Sequence, residues 1–154
     1  FEDLTQAVMR EADEVDPGFK RLAAHVASSA AGCQYCEAHS LIAADIHGIS
    51  DEKLEAVWEY ENSELYSERE RVALDFALAA GSVPNRVDEE IVSALKEHWS
   101  DDEIVELLAA ISLYGFLNRW NDSMATDLED VPREMGERVL EDREWDGGKH
   151  VSDD

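Results

Sequence analysis

The stretch AGCQYCEAHS, residues 31–40, holds both cysteines of the chain, Cys33 and Cys36, with His39 three positions further on. What that trio can do depends on the element that carries it. A redox pair of the thioredoxin kind follows a strand in a strand-helix-strand unit, and the residues before Cys33 do not read as a strand. DPGFKRLAAHVASSAAG, residues 16–32, opens with Asp16 as a helix N-cap and Pro17 at the first helical position, and it closes on Gly32. Runs of period-two alternation are scarce throughout, and valine, isoleucine and threonine do not cluster as strands require. The cysteines therefore sit on a helix that follows another helix, and the fold class is all-α.

The helical pattern extends in both directions. FEDLTQAVMREAD, residues 1–13, places Leu4, Ala7, Val8 and Ala12 at helical spacing. The cysteine-bearing helix runs to about His47, where Gly48 supplies a stop and Ser50 the next N-cap. DEKLEAVWEYE, residues 51–61, follows, and then a helix opened by a Ser67/Glu70 capping box. Pro84 and Asn85 make the clearest break before the helix in DEEIVSALKEHW, residues 88–99. Ser100 and Glu103 open a long helix read as far as Glu129, Pro132 starts a last short one, and from about residue 144 the chain reads as a tail that is mobile unless a neighbouring subunit holds it. At 17.3 kDa with 44% hydrophobic residues, residues 1–154 make one domain around one core.

Charge removes several function classes. Against 37 acidic residues stand 13 basic ones, four of them lysine, for a net charge of -24. Such a surface repels phosphates, which argues against nucleic acid and against anionic lipid as partners. The excess is spread along the chain, the pattern expected of a protein kept hydrated where salt screens its self-repulsion, and it points to a salt-loving source. The longest mostly apolar run, Leu107 to Leu117, falls short of the roughly 20 residues that span a bilayer. One close cysteine pair is not the disulfide framework of a secreted domain, so a cytoplasmic location is expected.

On a helix, residues three apart are surface neighbours, so Cys33, Cys36 and His39 share one side, with the cysteines about 5 to 6 Å apart, within the reach of a disulfide. Cys33 near the helix N-terminus gains from the dipole and free N–H groups, which stabilise a thiolate. His39 can take a proton from Cys36 or return it to a leaving group. Zinc would need a fourth ligand from His47 or His25, and a pair of inert core cysteines is the remaining alternative. A polar break inside the long helix, NRWND, residues 118–122, puts Asn118 and Asp122 on one face, either as a pocket wall or as a buried network that fixes packing.

GCQYCEAHS, then GISDEKLEAVW (residues 48–58), GFLNRWNDSMAT (115–126) and GGKH (147–150), together resemble the carboxymuconolactone decarboxylase and AhpD-like alkylhydroperoxidase superfamily over roughly residues 17–150. The resemblance implies an AhpD-like multihelical fold assembled as a homo-oligomer, trimer or hexamer. It implies a thiol-dependent antioxidant enzyme, an alkylhydroperoxidase-like peroxidase cycling through a redox-active disulfide, with Cys36 peroxidatic, Cys33 resolving and His39 in the proton relay. The partners implied are a peroxide substrate and a dithiol reductant, lipoyl or thioredoxin-like; no cofactor or metal is implied. The relay glutamate expected about a helix upstream falls near Arg21, with no carboxylate alongside. A general thiol-disulfide oxidoreductase, a decarboxylase-like protein of another activity and a non-enzymatic oligomeric binding protein stay open.

Overall fold

The computed structural model describes residues 2–10 and 14–151. It contains α1 (Glu2–Val8), α2 (Pro17–Ala31), α3 (Gln34–Ile46), α4 (Asp51–Glu55), α5 (Glu68–Gly81), α6 (Glu89–His98), α7 (Asp101–Met124) and α8 (Asp130–Val139), with short 3-10 turns at Val57–Glu59, Glu141–Arg143 and Gly148–His150. No strand occurs among the described residues, so the fold is all-α as the periodicity predicts. Ala12, assigned by that periodicity to the first helix, lies outside the described residues.

The helix starts follow from side-chain chemistry. The Asp16 carboxylate accepts the Phe19 N–H at 2.8 Å in front of Pro17, and complete capping boxes open α5 at Ser67/Glu70 and α7 at Ser100/Glu103. Two boundaries differ from the sequence reading. Helix α7 ends at Met124 rather than Glu129, because Ala125 turns left-handed at φ 49° and Thr126 folds back on the last turn, its N–H reaching Asn121 O at 3.2 Å. Helix α8 begins at Asp130, two residues before Pro132, which is tolerated in the first turn because its missing N–H would have no helical partner there.

Helix α2 lies at the centre and packs against α3, α5 and α7. Its Leu22, Ala23 and Val26 are fully buried and join Leu41, Leu74 and Leu107 in one core. Small side chains bring the backbones close: a Cβ on Gly81 of α5 would stand 2.5 Å from the Ala27 carbonyl of α2. A second, smaller cluster of Met9, Ala110 and Leu113 holds the end of α1 against α7. Beneath it the buried Lys20 ammonium meets Glu106 at 3.2 Å and donates to Val8 O at 3.4 Å, while Glu106 also accepts the Glu14 and Val15 N–H groups at 3.1 and 3.0 Å. A buried charge is tolerated only with such pairing.

The segment from Glu144 to Val151 is packed on the chain itself, where the sequence reads as a free or subunit-held tail; residues 152–154 lie outside the described residues. Trp145 is buried over Gly136, where an added Cβ would come within 2.5 Å of the indole. His150 is 2% exposed; its Nδ1–H donates to Thr126 O at 2.9 Å, its carbonyl accepts the Leu128 N–H at 2.8 Å, and Lys149 pairs with Asp122 at 3.0 Å. An aromatic anchor and paired polar ends keep this segment down, features that composition alone does not reveal. No helix among the described residues is long and apolar enough to cross a membrane.

Candidate active site

The end of α2 builds the cysteine site. Gly32 adopts the left-handed conformation at φ 76°, its N–H reaches Ser29 O at 3.0 Å and the Cys33 N–H reaches Ser28 O at 3.1 Å, which closes α2 and sets Cys33 as the N-cap of α3. Cys36 falls in the first turn of α3, so both sulfurs lie where backbone N–H groups have no helical partner. Both are buried, and they are not bonded to each other. The interaction between the two sulfurs is the largest influence on the acidity of each. A hydrogen bond from Cys36 holds the Cys33 thiol below its ordinary range against the opposing effect of burial. The same bond, then burial, pushes the Cys36 thiol up, while the Asn121 amide works in the other direction. Between the two, these effects favour a negative charge on Cys33 over one on Cys36.

Only Cys36 of the two faces the main cavity. This space of about 760 Å³ lies between α1, α2, α3 and α7 and is walled by Met9, Ile42, Leu113, Phe116, Leu117 and Trp120. Its polar fringe includes Arg21, Tyr35, His39 and Asn121. Asn121 Nδ2 donates to Cys36 Sγ at 3.7 Å.

His39 lines the same cavity, but among the described residues no hydrogen bond joins it to Cys36. Its Nε2 meets Glu129 Oε2 at 2.8 Å and its ring stacks on Tyr35 at 4.3 Å between centroids. Burial and then the Glu129 charge push the Tyr35 phenol up to about 12. Burial acts to raise the Glu129 carboxyl, yet hydrogen bonds from its own backbone N–H, His39 and Tyr35 outweigh it and hold the group below the usual carboxylate range. A carboxylate thus stands on the histidine, supplied from the α7–α8 connection and not from the helix upstream. Behind α3, His25 Nδ1–H donates to Glu37 O at 3.1 Å and Ser40 Oγ–H to Cys36 O at 2.6 Å, which fixes the floor of the site. Burial lowers His25 to about 4, so it is neutral at pH 7.

The NRWND segment divides differently from its sequence reading. Asn118 and Asp122 do share a face, but they line a separate space of about 430 Å³ against α2 and α5, and Asp122 pairs with Lys149. Asn121, one helical step away, is the residue that reaches the thiol. Among the described residues no group of three or more His, Cys, Asp or Glu is placed to hold a metal ion.

No family model matches the chain. It is 32% identical over 135 residues to the uncharacterized protein YnjA of Escherichia coli K12, spanning 87% of this chain and 71% of that protein. Among solved structures it is similar to the debrominase Bmp8, with a TM-score of 0.84 and 33% identity over 89% of this chain and 73% of that one. A cysteine-to-alanine variant of that debrominase, in complex with 2,3,4-tribromopyrrole, aligns with the same TM-score of 0.84 at 32% identity. An Agrobacterium tumefaciens protein of unknown function, suggested to be the antioxidant defence protein AhpD, shares the fold at a TM-score of 0.74 and 22% identity over 83% of this chain and 87% of that one.

Proposed function

The chain belongs to the carboxymuconolactone decarboxylase and AhpD-like alkylhydroperoxidase superfamily, and on that premise we propose that it is a thiol-dependent peroxidase of the alkylhydroperoxidase type, with Cys36 attacking and Cys33 resolving. The observation that carries this reading is the division of the pair: Cys36 opens on the apolar cavity while Cys33 stands behind it within hydrogen-bond reach. A hydroperoxide entering the cavity meets Cys36 first. The Cys36 thiolate takes the terminal oxygen, the O–O bond breaks, and the alcohol leaves with a proton delivered from the His39–Glu129 pair or from water. The sulfenic acid then condenses with the Cys33 thiol, releasing water and leaving a disulfide, and a dithiol of the lipoyl or thioredoxin-like kind restores both thiols by exchange.

A shared proton reconciles the acidity with the access. With charge favoured on Cys33, the Cys36 proton can pass to that neighbouring sulfur, so deprotonating the attacking sulfur needs no base in direct contact. No cofactor enters the scheme, and the working form is a homo-oligomer in the cytoplasm.

Stopped-flow oxidation of the fully reduced protein by hydrogen peroxide and by organic hydroperoxides tests the reading. Saturable loss of two thiols per chain, faster with an organic hydroperoxide, is the expected result. Thiol loss no faster than that of a free cysteine removes the peroxidase.

One second reading has a specific observation behind it: the cavity is apolar and partly aromatic, and a debrominase is among the similar structures. In that chemistry Cys36 sulfur takes bromine from an aromatic carbon, which gains a proton. Cys33 then displaces bromide to form the same disulfide, so two thiols are consumed per bromide. Bromide release from a brominated pyrrole by the reduced protein, without peroxide turnover, would establish this reading over the first. Neither reaction, with exchange against a dithiol retained, would leave a general oxidoreductase. No thiol reaction of any kind would leave a binding protein.

A further inference from the structure

Asn121 is held in one orientation by two bonds. The Thr126 hydroxyl donates to Asn121 Oδ1 at 2.9 Å, and the Thr126 N–H binds the Asn121 carbonyl at 3.2 Å, across the left-handed turn at Ala125. With its oxygen occupied, the amide must present Nδ2 to the cavity, and Cys36 Sγ lies 3.7 Å away. An N–H aimed at a sulfur is worth more when the sulfur is charged, because charge-assisted hydrogen bonds are roughly twice as strong as neutral ones.

Apart from the helix N-terminus and the Arg21 guanidinium on the cavity wall, the groups around the pair do not favour charge on Cys36. Cys33 and Asp122 both disfavour a thiolate there, and the Tyr35 and Tyr114 phenols beside it are un-ionised, burial pushing each up to about 12. His39 is turned to Glu129. Among the described residues Asn121 is the side chain that donates a hydrogen bond to the cavity-side sulfur.

We propose that Asn121 is a catalytic residue whose amide N–H stabilises negative charge on Cys36 Sγ, and that Thr126 is the positioning residue that fixes it. This rests on Cys36 being the attacking sulfur, whichever substrate it attacks. The Thr126 contact gives the geometry a purpose: without it the amide could rotate and set its oxygen, an acceptor, against a thiolate.

The test is the rate at which iodoacetamide alkylates Cys36 in the reduced two-cysteine protein, located by peptide mass, with the ultraviolet thiolate titration of Cys36 followed in a Cys33→Ser background. In Asn121→Ala, alkylation of Cys36 should slow about tenfold, the loss of one charge-assisted bond, and the titration should move to higher pH. Asn121→Asp, which sets a like charge against the sulfur, should slow it further. Thr126→Val, which keeps the side-chain shape, should move both readouts in the same direction by less. Wild-type alkylation and titration in Asn121→Ala and Asn121→Asp, with circular dichroism unchanged, would overturn the proposal. If the asparagine variants fail to fold, Thr126→Val decides it, and wild-type behaviour there overturns it equally. Both readouts are independent of peroxide, so a shifted titration in a protein that consumes no hydroperoxide sustains this inference while removing the peroxidase.

Discussion

At the residue scale, the placement of both cysteines at the start of one helix was legible because its logic is local. A spacing of three on one helix places Cys33, Cys36 and His39 on one side whatever the rest of the chain does. Glu129 and Asn121 were not legible: they reach the site from 90 and 85 residues away in sequence, no pattern marks Glu129, and the polar break NRWND drew attention to Asn118 and Asp122 rather than to Asn121. The carboxylate expected upstream, near Arg21, is supplied at His39 from the opposite direction. For the pair itself, Cys33→Ser should still consume one equivalent of peroxide and stop at a sulfenic acid that a dimedone probe captures. Cys36→Ser should show no fast reaction, and an exchange of these two phenotypes would assign the attack to Cys33, the sulfur on which charge is favoured. His39→Ala should slow oxidation by something like the 10²- to 10⁴-fold of general acid-base help. Glu129→Gln should slow it less, since it removes the charge that orients the ring but leaves the ring in place. Equal rates for Glu129→Gln and wild type would show the pair to be structural.

At the element scale, helix starts were legible because capping side chains sit within three residues of what they cap, as Ser67/Glu70 and Ser100/Glu103 do. The end of α7 was not, since it depends on Thr126 folding back and on Ala125 accepting a left-handed backbone. The junction of α2 with α3 makes a pH prediction. His25 is fully buried in it and held near 4 by loss of water, against about 6.5 when unfolded. Between those values the unfolded chain binds the proton and the folded one does not. Stability is therefore intact above about pH 6.5 and falls as the pH drops towards 4, by up to roughly 3 kcal/mol from this group. Denaturant titrations at pH 7 and pH 4.5 on wild type and His25→Asn should show the smaller drop in the variant, the raised Glu37 carboxyl being common to both. Parallel drops would mean that the proton enters elsewhere.

At the scale of the whole molecule, charge and exposed apolar surface make the predictions. With a net charge of -24 the folded state repels itself across a Debye length of about 30 Å at 0.01 M salt, falling to about 3 Å at 1 M. Melting temperature should climb as sodium chloride is added, and a flat profile would count against a salt-loving source. Phe116, Trp120 and Met124 on one face of α7 are 53, 59 and 67% exposed, and large apolar side chains grouped on a surface mark interaction sites. Sedimentation at high salt should find an oligomer that Trp120→Glu dissociates; a monomeric wild type would remove the assembly. The acidity itself is unevenly committed. Most carboxylates face water, whereas Glu106 gathers the buried Lys20 ammonium and two backbone N–H groups into one knot. Surface charge and architecture are thus separable properties over most of this protein: carboxylates outside the helix caps and the His39–Glu129 pair are free to drift through evolution or to be redesigned for dilute buffers, while Glu106 keeps its identity.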